Sequence, residues 1–240
     1  MYQTTILKGA PISIIDIGAA IGDTVLLLDT SCPSMIEKYY CVDGDEDFFN
    51  YLETNLSPNK RVTLIKAFLS ANEGKAKNLV KIHPGTASAQ GCLEISTISL
   101  DQLAENRKIG NFDLLKVDVD GYDGLVLQGA KETIIKNKPT IIFEWPPSLC
   151  VDTGNNWIDH FNALTECGYD RFIFFSNYGH FSHFMTIIDV QAISLLAKIC
   201  MTNKHTHAVY FDVIAIHNNC TIEIASLASL EFAKTHKAPC

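Results

Sequence analysis

The sequence predicts a doubly wound α/β fold: one mostly parallel seven-stranded sheet with helices on both faces and its last strand antiparallel. Three observations carry this. Short, continuous apolar runs alternate with amphipathic stretches, the pattern of parallel strands buried on both faces and joined by helical crossovers. A glycine-bearing turn, Asp16-Ile17-Gly18-Ala19-Ala20-Ile21-Gly22, follows the first run. The 240 residues contain no linker-like tract, repeat or low-complexity segment, so a single domain over 1–240 is expected. Its motif-bearing core spans 12–145, and further strands and helices fill 156–217.

Taken in order, the β-branched run 12–17 is the first strand, and 22–28 follows as a helix. Residues 39–43 form a second strand. The helix 45–55 carries Phe48, Phe49 and Leu52 at helical spacing, with acids in its first turn, where the helix dipole favours them. A third strand spans 61–68. The stretch 70–96 is rich in small and polar residues and reads as loop with short irregular strands. Ser99 suits the cap of a short helix to 105. A strongly apolar strand, 112–118, leads into a helix pair over 124–136 that Pro139 ends. Strand 140–144 stops at Pro146-Pro147, and 157–167 is helical. Strands 171–175 and 210–216 close the count, with a looser insert between them containing a helix near 190–200.

Composition narrows the function. Hydrophobic residues make up 47% and charged residues 19%, an ordinary globular balance. A net charge of −8 offers no basic face for nucleic acid or anionic membrane. The eight cysteines are scattered with no C-x-x-C pair, which argues against zinc or a disulfide scaffold and for a reducing, cytoplasmic setting. No apolar run reaches the roughly 18 residues of a membrane span. The N-terminus lacks a signal-peptide pattern.

The chemistry concentrates where strands end, the edge at which open α/β sheets bind ligands. The 16–22 turn lacks the second glycine of a dinucleotide fingerprint, since Ala20 stands there, and it lacks a Walker lysine. What remains suits a ligand with a ribose and an amino-acid tail but no phosphate. Gly18 would let the backbone approach that ligand, and Gly22 would let the helix start close to its strand. Asp43 ends the second strand about twenty residues on, as a ribose-binding acid does. Its neighbours Asp45, Glu46 and Asp47 are free to serve the helix start, and Gly44 would let a flat ring lie on the chain. Asp118 and Asp120 cluster at the end of the fourth strand with Asp123, and Glu144 ends the fifth on the same edge. Such acids can orient a hydroxyl, hold an ammonium, bind a divalent ion or simply cap the next helix. His180 and His183 follow the sixth strand as an alternative base or metal pair, although a loop histidine beside a packed one is the plainer reading. His205 and His207 read as surface loop.

The blocks DIGAAIG, YYCVDGDEDFFNYLETNL, TISLDQL, LLKVDVDGYDGLVLQGA and KPTIIFEW, in this order between residues 12 and 145, resemble the FkbM family of S-adenosylmethionine-dependent methyltransferases. The sequence departs from the family pattern at Ala20, often Asn; at Asp43-Gly44, usually Glu-Pro; and at Asp120, commonly Glu. The resemblance implies a Rossmann-like class I methyltransferase fold with S-adenosylmethionine as cofactor. It implies that Asp16, Gly18 and Gly22 carry the cofactor's amino-acid end and that Asp43 holds its ribose, with Ala19 and Gly44 also among the cofactor-binding residues. The segment Lys66-Ala67-Phe68 would border adenine, and Asp118 would lie near the methyl and the acceptor. The acceptor is expected to be a small molecule or glycan methylated on oxygen. Asp118, Asp120 and His180 are the candidate catalytic groups. A divalent metal is the less favoured alternative, because no His or Asn ligand stands at a fixed spacing beside the acids. A nicotinamide-dependent oxidoreductase and a non-catalytic nucleotide-binding module are the competing readings.

Overall fold

Six isoleucine-rich residues, Ile12–Ile17, form β1, and every one of them is buried. Ile12 and Ile14 join the core on one face of the sheet, and Ile15 and Ile17 join the core on the other. A central strand covered on both faces reads as a near-continuous apolar run, here interrupted only by Ser13 and Asp16. The computed structural model describes residues 9–77, 80–83, 86–88, 94–202 and 209–221. His205, His207, Cys92 and Cys240 lie outside the described residues.

The chain proceeds through α1 (Asp23–Ser31), β2 (Ile36–Asp43), α2 (Glu46–Leu56), β3 (Val62–Lys66) and β4 (Phe68–Leu69). It continues with β5 (Gly74–Lys77), β6 (Val80–His83), β7 (Thr86–Ser88), β8 (Glu94–Ile98), α3 (Leu100–Arg107) and β9 (Leu114–Val117). Then come α4 (Asp123–Gln128), α5 (Lys131–Asn137), β10 (Thr140–Trp145), α6 (Pro147–Asp152) and α7 (Asp159–Glu166). The last elements are β11 (Tyr169–Ser176), β12 (Phe181–Met185), α8 (Val190–Thr202) and β13 (Phe211–His217).

The main sheet has the order β12-β11-β13-β10-β9-β1-β2-β3. Pairs from β3 to β10 are parallel, and β13 runs antiparallel to both β10 and β11. The seven expected strands and the antiparallel last one are therefore present. The eighth, β12, was not expected. It folds back on β11 as an antiparallel edge hairpin, and its alternation of exposed and half-buried residues gives a weaker signal than a central strand. The expected third strand also divides. β3 stays in the main sheet, while β4 pairs with β8 in a separate small sheet. Pro147 starts α6 rather than merely stopping β10, since a proline costs nothing at the first helical position.

Val25 of α1 and Phe49, Leu52 and Leu56 of α2 pack with Ile12 and Ile14. Leu103 of α3, Val126 of α4, Ile134 of α5 and Phe161 of α7 pack with Ile15 and Ile17 in the larger core. Ser99 caps α3 in a reciprocal box with Gln102. The chain leaves β1 toward β2 on one side and returns to β9 on the other. This order puts a topological switch point beside β1, at the carboxyl edge of the sheet. Among the described residues, no helix is long and apolar enough to cross a membrane.

Candidate active site

A solvent-open cleft of about 830 Å³ sits at that switch point. One wall comes from the ends of β1, β2 and β3, with Ile17, Gly18, Val42, Asp43, Ala67 and Phe68 among its residues. The other comes from the segment after β9, with Asp118, Val119, Asp120 and Tyr122.

The first wall is held by backbone bonds. Gly18 and Ala19 both donate to the Val42 carbonyl, at 2.9 and 3.1 Å. The Asp43 carboxylate accepts from Ala20 N at 2.8 Å through Oδ2 and from Asp45 N at 2.9 Å through Oδ1. Burial pushes the Asp43 carboxyl above its ordinary value, and these two N–H groups offset only part of that. Each oxygen retains acceptor capacity toward the cleft. Ala20 holds a positive φ of 45° to make its bond, in a region that side chains enter at some cost. Asp45 accepts from Asp47 N and Phe48 N and so caps α2, and it lines the cleft beside Asp43.

The structure gives several expected residues other work. Gly18 lines the cleft, but a Cβ there would lie 1.8 Å from the Asp118 carbonyl oxygen, at a φ of +78°. Its missing side chain makes room for the neighbouring chain. Gly44 lines the cleft as well, and a Cβ there would stand 2.4 Å from the Phe68 ring, so the flat ring against it is the protein's own. Gly22 packs against Leu56 of α2, and Ala19 is buried; neither is among the lining residues. Lys66 turns to an ion pair with Glu46, while Ala67 and Phe68 reach the cleft.

Asp16 does not line the cleft either. It shares the sheet face of Ile12 and Ile14, is 1% exposed, and has no well-directed hydrogen bond to either oxygen. Its counter-charge is the Lys116 ammonium, 3.3 Å from Oδ1. The same ammonium lies 3.0 Å from Asp118 Oδ2. Burial opposes the charge on Lys116, but Asp16 and Asp118 overcome it and hold the ammonium above its ordinary value. Burial still outweighs Lys116 at Asp16, whose carboxyl is raised.

The second wall is acidic. Burial, then Asp118 and Asp43, push Asp120 up to about 7. Asp120 sits at a positive φ of 50° and lines the cleft. Glu144 of β10 faces Asp212 of β13 across the ladder. Burial and the surrounding carboxylates push Glu144 up to about 9, and burial and Asp118 push Asp212 up to about 6. Glu144 stands outside the lining residues. Asp123 is fully buried and accepts from Val119 N and Gly121 N, so it closes its own turn. Among the described residues, no group of three His, Cys, Asp or Glu side chains gathers as metal ligands would.

His180 is exposed in the β11–β12 turn and is not among the lining residues. His183 stacks on Phe174 with ring centroids 4.3 Å apart, and burial lowers its pKa. The pair is a loop histidine beside a packed one. The sequence reading missed Lys116, together with Phe48, Ser70, Thr97 and Tyr122 of the lining. A signal for Lys116 was present: a lysine inside an apolar strand, two residues before an acid, shares that acid's side of the strand.

The cleft fits S-adenosylmethionine. Val42, Phe48, Phe68 and Leu69 could give apolar walls to a flat base, and Asp43 could give a fixed acceptor to ribose hydroxyls. The described lining residues include no Lys or Arg to meet a pyrophosphate.

Residues 16–171 match the model of the FkbM methyltransferase domain. Among solved structures, the chain is similar to the FkbM methyltransferase of Methylobacillus flagellatus KT, at 16% identity and a TM-score of 0.47. That match covers 67% of this chain and 39% of the other, so the chain spans about two fifths of that protein's length. It is also similar to an O-methyltransferase of Bacillus cereus in complex with S-adenosylhomocysteine, at 15% identity, a TM-score of 0.49, and 90% and 81% coverage. A third is the N-methyltransferase NodS of Bradyrhizobium japonicum WM9, at 12% identity, a TM-score of 0.45, and 91% and 84% coverage. A comparison with the curated proteins finds no match.

Proposed function

Because the chain belongs to the FkbM family of S-adenosylmethionine-dependent methyltransferases, we propose that it methylates an oxygen, on the hydroxyl of a sugar, glycan or other natural product. The observation that carries this reading is the two-walled cleft, with a backbone-fixed carboxylate at Asp43 facing Asp118, paired with Lys116, and Asp120. When bound, S-adenosylmethionine supplies an electrophilic methyl on a sulfonium. Asp43 would accept hydrogen bonds from its ribose hydroxyls, and Phe48, Phe68 and Leu69 would offer its base apolar surface that excludes water.

An alcohol is a poor nucleophile until its proton leaves, so the acceptor side must supply a base. Asp118 orients the hydroxyl, and Asp120, pushed up to about 7, takes the proton at neutral pH. The gain comes from holding the oxygen in line with the methyl, which a fixed carboxylate does better than water. The whole chain acts as one domain in this reading, without nucleic acid or a membrane span.

Calorimetry with S-adenosylhomocysteine and with NAD tests the reading. Binding of the first and not the second is the expected result; the reverse would replace it with a nicotinamide enzyme. Methyl transfer from labelled S-adenosylmethionine to a panel of hydroxyl and amine acceptors then decides the atom. Binding without transfer to any acceptor would favour a non-catalytic module.

A further inference from the structure

We infer that Lys116 is a positioning residue for methyl transfer: its ammonium, held between buried Asp16 and Asp118, fixes the Asp118 carboxylate on the acceptor side of the cleft. This role rests on the reading of Asp118 given above. Lys116 pairs in register with Asp16 across β9 and β1, and two-residue spacing puts Asp118 on its own side of the chain. The two contacts differ in setting. Asp16 is 1% exposed, whereas the Asp118 side chain is 46% exposed at the mouth of the cleft.

The Asp118 backbone is tied down, its N–H donating to the Ile17 carbonyl at 3.0 Å. Its carboxylate meets Lys116 at 3.0 Å. Without that ammonium, the acids around Asp118 would drive it away: Asp120, Asp123, Glu144 and Asp212 each feel its charge. Around Lys116 itself stand Asp16, Asp118, the Cys41 thiol and Asp212, and Asp23 adds its charge at Asp16. Stability is a weak reason to keep such a pair, because apolar side chains of similar volume usually serve a core as well. Anchoring a lysine on one buried acid so that it can orient a second, exposed one is a use that apolar packing cannot replace.

Lys116→Met alone leaves Asp16 buried without a counter-charge and can fail to fold. The informative variant is therefore Asp16→Asn with Lys116→Met, measured against Asp16→Asn. We expect kcat to fall about 30-fold to 100-fold, the scale of a misplaced reacting group, with S-adenosylhomocysteine affinity held within about threefold. Adding Asp118→Asn to the pair should cost little more, since Lys116 acts through that carboxylate. Lys116→Arg should recover most of the loss relative to Lys116→Met. Crystal structures supply a readout without turnover, in which the Asp118 carboxylate leaves its place in the pair variant and keeps it in Lys116→Arg. An unmoved carboxylate, or fully additive losses with Asp118→Asn, overturns the role of Lys116 while wild-type transfer stands. Absence of transfer by the wild type removes the proposed reaction and this role together.

Discussion

The two walls of the cleft are made from the same material, acids that burial pushes up at strand ends, yet only one wall gives its acid backbone donors. On the β1–β2 wall the Asp43 oxygens each accept a backbone N–H, and Asp45 caps α2. On the wall after β9, burial and neighbouring carboxylates hold Asp120 near 7, and Glu144 near 9 and Asp212 near 6 stand behind it, outside the lining. Fixed N–H dipoles make a carboxylate a steady acceptor, which suits binding. Crowded, poorly solvated carboxyls hold protons at neutral pH and exchange them readily, which suits chemistry. Under the proposed reaction, the first wall holds the cofactor and the second acts on the acceptor.

The largest expected effect comes from joining the walls too tightly. Gly18→Ala drives a Cβ into the Asp118 carbonyl at a strained φ. It should destabilise the fold by about 4 kcal/mol or more, a loss in the range reserved for severe backbone and packing conflicts. Chemical denaturation reads this directly, and a near-wild-type midpoint would mean the walls are not in contact there.

Next is the reactive wall alone. Asp118→Asn should cut turnover about a hundredfold or more, the scale of a misplaced acceptor hydroxyl, while S-adenosylhomocysteine affinity changes far less. An equal loss in affinity would place Asp118 on the binding side and erase the distinction.

On the binding wall, Asp43→Ala should weaken S-adenosylhomocysteine by about 2 kcal/mol, as expected for charged hydrogen bonds. A 2′,3′-dideoxy analogue should lose little. Equal losses for both ligands would show that Asp43 acts by shaping the Ala20 turn rather than by holding ribose.

The smallest effect concerns pH and stability. The folded-state values of Asp120, Glu144 and Asp212 lie above their ordinary ones. The folded state therefore binds these protons more tightly than the unfolded chain, and stability falls as pH rises from about 4 toward 9. Buried His160, lowered to about 3, opposes this trend below about pH 6.5, so Tm should drop between pH 7 and pH 8, and Glu144→Gln should flatten that slope, recovering about 1 kcal/mol at pH 8. A slope unchanged by Glu144→Gln would mean that the second wall carries no such strain.

Much of this architecture was legible beforehand because its signals are local. The apolar run 12–17, the amphipathic spacing of Phe49 and Leu52, and the Ser99–Gln102 box each announce an element from within a few residues. The β11–β12 hairpin was not legible, since an edge strand needs no continuous apolar run. Asp43, Ala67, Phe68, Asp118 and Asp120 reach the cleft as expected. Asp16, Ala19, Gly22 and His180 do not, because position at a strand end says little about which way a side chain faces or what fills the space beside it.

Hydrophobic periodicity and turn chemistry thus determined, from sequence alone, the strands, the helices, the parallel sheet and the edge on which the acids collect. Tertiary structure decided which acids are spoken for. Asp43 is steadied by the Ala20 N–H, Gly18 yields its space to the Asp118 carbonyl, and Asp16 and Asp118 share Lys116. Each of these depends on strands distant in sequence lying side by side in the sheet. An acid's charge and orientation are set by such neighbours and by the loss of water around it, neither of which is written in its local sequence.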